Sequence, residues 1–249
     1  NKSGGKVYSG SELNFDGVRL AFNDGEMELN HNLNLTNGSN MKEITLSGNG
    51  NTIYMSGLSY LDTSTLLSEL TLEGIVVVYG SSVVYFDDGV INKGVIQNRA
   101  GAFSTLVVRG DLLNQGEIRN NPGSGGGFGF TVKVFGNITN SGSWNNNHIH
   151  IEGEVNQVIN LLGNTGIDGA VTFYSNLATT PYQWKKNGTD IPEATSANLM
   201  IQGLGAEDAG IYICQAGSNT SRTITVLADE GSMLVADFIS DVATGLAPL

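Results

Sequence analysis

The sequence predicts an all-β chain, a right-handed parallel β-helix followed by a β-sandwich. Three observations carry this. Short apolar-x-apolar-x-Gly units recur through the first two-thirds of the 249 residues. Gly (34) and Asn (27) are abundant while helix signals are almost absent. After residue 164 the pattern changes to strands arranged around Trp184 and Cys214.

The units begin with Leu13-Asn14-Phe15-Asp16-Gly17, Ile44-Thr45-Leu46-Ser47-Gly48 and Leu70-Thr71-Leu72-Glu73-Gly74. They continue with Leu106 to Gly110, Val132 to Gly136 and Ile149 to Gly153. A second unit, Asn-x-Gly-x-apolar-x-Asn, spans Asn92 to Asn98, Asn114 to Asn120 and Asn140 to Asn146. Its starts differ by 114 − 92 = 22 and 140 − 114 = 26 residues. Such a period, built of short alternating strands and Gly/Asn turns, fits one coil of a solenoid. A single coil cannot bury its apolar face, but stacked coils share one core. Apolar residues two apart face inward together because strand side chains alternate. Asn at equivalent turn positions can then form a ladder of amide hydrogen bonds. The uneven spacing, 31 residues from Leu13 to Ile44 and 36 from Leu70 to Leu106, implies looped-out insertions, with Asn121 to Gly129 as one bulge. An antiparallel sandwich or meander would also use short strands and Gly turns.

The quoted repeats, and Asn140-Ser141-Gly142-Ser143-Trp144-Asn145-Asn146 above all, resemble the Asn/Gly-rich β-helix segments of large secreted bacterial surface proteins. The resemblance covers residues 10 to 164, within a first domain read as 1–164.

Residues 165–228 form a second expected domain. Val171 to Tyr174, Tyr182 to Gly188, Leu199 to Ile201, Tyr212 to Ala216 and Thr223 to Val226 read as strands and a turn. The runs Trp184-Lys185-Lys186-Asn187-Gly188 and Asp208-Ala209-Gly210-Ile211-Tyr212-Ile213-Cys214 closely resemble the immunoglobulin superfamily. That resemblance implies that the Tyr212 hydroxyl ties a loop to the backbone, that Cys214 points into the core and that Trp184 fills its centre. It also implies a first core Cys about a dozen residues before Trp184; Phe173 holds the nearest inward position instead. Cys214 is the single Cys of the chain, so a disulfide's typical ~2–4 kcal/mol must come from packing. Cys214 is expected to be a buried thiol, not a nucleophile. A short Gly-rich hinge around Gly163 to Gly169 would join the two regions.

The tail, 229–249, with Ala236 to Asp241 and Thr244 to Leu249, resembles the first strand and turn of a polycystic-kidney-disease-type (PKD) domain. The chain begins at Asn1 and stops where that family would continue. It is therefore expected to be an excised piece of a longer protein.

Charge and composition exclude several classes. A net charge of −12 and a pI near 4.5 argue against nucleic acid and against anionic membrane surfaces. No run approaches the ~20 apolar residues of a membrane-spanning helix. Candidate carboxylates for glycoside chemistry are Asp87 with Asp88, Glu26 with Glu28, and Glu152 with Glu154. Neighbours such as Asp87 and Asp88 point to opposite faces of a strand, and Asp87-Asp88-Gly89 is more simply a turn. Glu26/Glu28 and Glu152/Glu154 read as solvent-facing alternation. The nine Lys and Arg of residues 1–164 form no cluster to stabilise an enolate. His148 and His150 share one strand face and could both touch a metal, but a third ligand is not evident, although Glu152 is in phase and His31 has no assigned place. No phosphate loop, dinucleotide fingerprint, nucleophile elbow or zinc-binding Cys set is present.

The expected role is thus non-catalytic: a structural or adhesive segment of a multidomain bacterial cell-surface or matrix protein, located outside the cell. No catalytic, cofactor or metal residues are assigned. The expected partners are glycans or neighbouring copies of the chain, with Tyr60, Tyr79 or Tyr85 as stacking platforms. The alternative is a carbohydrate-active β-helix enzyme, a polysaccharide lyase or hydrolase, or its binding module.

Overall fold

The structure is a computed structural model that describes residues 13–229 apart from 17–18, 30, 37–39, 48–49, 124–128 and 164. The tail expected to begin a further domain lies, beyond Asp229, outside the described residues.

Residues 26–173 form a β-solenoid of about six turns. Each coil supplies strands to three faces. On the first face Leu33–Thr36, Ile53–Met55, Leu70–Leu72, Val90–Asn92, Leu112–Asn114, Ile138–Asn140 and Gln157–Leu161 stack in parallel. The second face stacks Leu58–Asp62, Ile75–Val78, Val95–Asn98 and Glu117–Arg119. The third stacks Thr65–Leu67, Val83–Phe86, Ser104–Val108 and Phe130–Val134. The second and third faces merge at both ends. Asn40–Ser47 pairs with Leu58–Asp62 through its first half and with Thr65–Leu67 through its second. Ser143–Ile151 bridges Glu117–Arg119 and Phe130–Val134 in the same way.

This arrangement corrects one inference from spacing. The apolar-x-apolar-x-Gly unit occurs on two faces of the coil. Leu70 lies on the first face, opposite Val90, whereas Leu106, Val132 and Ile149 stack on the third. The intervals of 31 and 36 residues cross from one face to another and are not insertions. Measured between true partners one coil takes 17 to 26 residues: Leu33 faces Ile53, Ile53 faces Leu70, Leu70 faces Val90 and Val90 faces Leu112. The longest step, Leu112 to Ile138, contains the Gly-rich stretch after Asn121.

The interior is one column of aliphatic side chains, with Leu33, Ile53, Leu70, Leu106, Val132 and Ile149 all fully buried. Burying each such side chain contributes roughly 1.5–3 kcal/mol. The Asn ladder runs beside it. Asn92 Nδ2 donates to Asn114 Oδ1 at 2.8 Å, and Asn114 Nδ2 donates to Asn140 Oδ1 at 2.7 Å. Asn140 Nδ2 closes the series on the Gly166 carbonyl at 3.0 Å. At the other end the ladder meets Leu72, and Asn92 Oδ1 has no partner. Two residues after each ladder Asn stands a Gly. A Cβ on Gly94, Gly116 or Gly142 would lie 2.0–2.1 Å from the carbonyl oxygen of the Gly one coil before. The Asn-x-Gly spacing therefore encodes both a buried bond and a backbone approach that excludes any side chain. Trp144, at the apolar position of the third unit, is buried and donates from Nε1 to Asn146 Oδ1 at 2.6 Å.

Both sheets continue past the solenoid. Gln157–Leu161 pairs in parallel with Ile224–Ala228, which pairs antiparallel with Gly210–Ala216, and that strand pairs with Tyr182–Lys186. Ile167–Tyr174 pairs in parallel with Ser143–Ile151 and antiparallel with Asn198–Leu204. The segment expected to be a hinge is therefore partly strand. Ile167 is buried, and the Gly166 and Gly169 backbones lie close against neighbouring strands.

In this region Trp184 and Cys214 face one another on adjacent strands, both fully buried. Trp184 Nε1 donates to the Ser196 carbonyl at 3.0 Å. The Tyr212 hydroxyl donates to the Asp208 carbonyl at 2.7 Å, and its ring meets Phe173 edge-on with centroids 5.1 Å apart. Burial raises the Tyr212 hydroxyl well above its usual pKa, and Asp208 adds to the shift, so it remains a donor.

Candidate functional site: a groove on the second face

Outward side chains of the second face fall into rows because parallel strands in register place equivalent residues side by side. One row carries Asn40, Tyr60, Val77, Gln97 and Arg119. The next carries Lys42 and Asp62 and, one coil on each time, Tyr79, Arg99 and Asn121. Between these rows and the exposed Leu58 and Ile75 lies an open groove of about 750 Å³.

Tyr60, on Leu58–Asp62, and Tyr79, just past the end of Ile75–Val78, form an edge-to-face pair with centroids 5.9 Å apart and planes at 84°. Arg99 lies over the Tyr79 ring, its Cζ 4.3 Å from the centroid. Gln97 Oε1 accepts from Arg119 Nε at 3.0 Å, which leaves Nε2 as the donor on the groove wall. Asp62 accepts from Thr63 Oγ1 at 3.1 Å, and Lys42 pairs with Glu43 at 3.3 Å. The surface thus combines two half-buried rings, three amides and charges of both signs. It can stack apolar faces and exchange hydrogen bonds with a polyol.

The three tyrosines named from sequence separate here. Tyr60 and Tyr79 line the groove. Tyr85 lies on the third face, covered by Arg109 at 4.9 Å, and Arg109 is held by Asp87 at 2.7 Å. Of the candidate acids, Asp87 is thereby paired, and Asp88 Oδ1 accepts from the Gly89 amide at 2.8 Å. Glu26 and Glu28 alternate with the buried Met27 and Leu29. Glu152 accepts from Lys133 at 3.0 Å and stands 3.6 Å from His150 Nδ1, while Glu154 accepts from Asn176 at 3.4 Å. Among the described residues no group of three or more His, Cys, Asp or Glu side chains could hold a metal ion. His148 and His150 do share the outward face of their strand, and His150 packs on Tyr174 with centroids 5.0 Å apart. Burial, then Lys133, lowers the His150 pKa. Burial raises that of the Cys214 thiol against weaker opposing hydrogen bonds.

Two features were not singled out in the sequence. Arg99, Asp62 and Gln97 became site residues only through register; the available signal was that Tyr79 and Arg99 are one coil apart. Arg222 is buried where the solenoid meets the antiparallel strands. It donates to Gln157 Oε1 (3.0 Å), the Tyr174 carbonyl (2.6 Å) and the Ile151 carbonyl (3.0 Å). Burial lowers its pKa, and Glu154 and Glu152 oppose the shift.

Comparison with protein-family models, with curated proteins and with solved structures finds no match for this chain. No helix among the described residues is long and apolar enough to cross a membrane.

Proposed function

We propose that this chain is a non-catalytic, adhesive rod segment of an extracellular, multidomain bacterial surface or matrix protein, and that the groove on its second face binds glycans. The observation that carries this reading is the lining of the groove: Tyr60, Tyr79 and Gln97, contributed by three successive coils. Strand spacing of roughly 4.8 Å is comparable to the length of one sugar unit in an extended chain, so successive coils can meet successive sugars. The antiparallel strands of residues 165–228 are read as immunoglobulin-like, supported by the Tyr212–Asp208 bond and the Trp184–Cys214 pair. They would extend the rod and cover the end of its core.

The enzyme alternative has less support, because the acids available for it are spread over separate faces and engaged individually. The test is incubation with a panel of neutral and acidic polysaccharides. Saturable binding without cleavage is expected. Release of reducing or unsaturated ends, abolished by Asp87→Asn, would establish the enzyme instead.

A further inference from the structure

Arg99 narrows the class of glycan. We propose that the groove takes an anionic saccharide, with Arg99 as the receptor for a carboxylate or sulfate on the sugar and Tyr79 as the adjoining platform. This rests on the adhesive reading above.

The chain as a whole is acidic, at −12. Most of its described basic side chains are matched: Lys93, Arg109, Arg119 and Lys133 each face a carboxylate, and Arg222 is buried among carbonyls. Lys42, the other cation of the groove, is paired with Glu43. Arg99 differs. Among the described residues its guanidinium has neither a carboxylate nor a carbonyl partner, and it lies over the Tyr79 ring. Stacking on a ring holds a guanidinium in place without using its N–H groups, which remain able to bind a planar anion through paired hydrogen bonds. An exposed cation left unmatched in an acidic molecule, on the wall of a groove, is the position where an anionic substituent gains most.

The groove is also polar along its length. Asp62 and Arg99 flank Tyr79 on the two neighbouring coils, about 10 Å apart by strand spacing. A carboxylate at the Asp62 end would be repelled, whereas sugar hydroxyls can donate to that carboxylate. The charge pair therefore sets the direction of the bound chain, with the anionic group at Arg99.

The test measures binding of the full chain, by calorimetry, to two matched pairs of polysaccharides: a uronate polymer with its carboxyl-reduced form, and a sulfated polymer with its desulfated form. Wild type should bind at least one acidic member about tenfold more tightly than its neutral counterpart, and less tightly as salt is raised. Arg99→Gln should remove that tenfold preference by weakening acidic binding more than neutral binding. Arg109→Gln, outside the groove, should alter neither. Equal binding of acidic and neutral members, or equal losses in the two variants, overturns the anion assignment while glycan adhesion stands. Absence of binding to every member overturns both.

Discussion

Within the coils, side-chain bonds tie a residue to its counterpart one turn on, as Asn92 to Asn114, Asn114 to Asn140 and Asn137 to Asp111. In the antiparallel strands Arg222 reaches back 65 residues to Gln157 and 71 to Ile151. The first region repeats a short-range bond many times. The second gathers its long-range bonds at one junction, where Arg222 is joined by the Thr223–Asn156 bond. A repeated network distributes damage, because each coil contacts only its neighbours. A junction concentrates it where Gln157–Leu161 meets Ile224–Ala228.

The largest effect should come from the coil backbone. Gly116→Val places a Cβ about 2.1 Å from the Gly94 carbonyl oxygen, so two coils must separate. A loss of roughly 3–5 kcal/mol is expected in urea unfolding followed by circular dichroism. A loss below that of Asn114→Leu would show that the coil spacing tolerates a side chain.

Arg222→Met comes next, at about 3 kcal/mol, because it strands the Ile151 and Tyr174 carbonyls and Gln157 Oε1. The effect should be local. Hydrogen exchange should quicken in 157–161 and 224–228 and stay slow in 90–114. Cys214 offers a second probe: buried, with its thiol pKa raised by burial, it should resist thiol reagents in the native protein and react faster in the variant. Equal loss of protection throughout would mean that the two regions unfold as one unit.

The ladder can be dissected further. Asn114→Leu leaves Asn92 Nδ2 and Asn140 Oδ1 facing an apolar side chain and should cost about 2 kcal/mol. Asn92→Leu should cost about 1 kcal/mol less, since Asn92 Oδ1 already lacks a partner and its neighbour is Leu72. Equal costs would deny the ladder its direction.

The smallest effect is a pH dependence. The folded protein disfavours protonated His150 through burial and Lys133, with His148 adding to the shift, while Glu152 opposes it. The unfolded chain takes up that proton near pH 6.5. Stability is therefore full above that value and falls as pH drops below it toward the folded pKa. His150→Gln should flatten the dependence in thermal melts between pH 7 and 5; an unchanged slope would assign it to other groups.

How much was legible follows from where each signal resides. Solenoid architecture and the Asn ladder are written in local spacing, because alternation and Asn-x-Gly turns act within one coil, whereas burial of Trp184 and Cys214 was what the immunoglobulin resemblance implied. The assignment of apolar-x-apolar-x-Gly to a single series failed, because two faces use the same five-residue pattern and only strand pairing tells them apart. Tyr60 and Tyr79 were visible as aromatics on strands. Their separation from Tyr85 was not, since it depends on which face each strand joins.

By itself the sequence determined an acidic all-β chain, a coil of about twenty residues and the positions where Asn and Gly must stack. Those features follow from side-chain alternation and backbone sterics, which act between near neighbours. The tertiary structure alone decided that both sheets run on past residue 165, that Arg222 sits at their junction, and that Lys42, Asp62, Tyr79 and Arg99 share one surface. Each of these depends on register between strands, and register is set by the packing of the shared core.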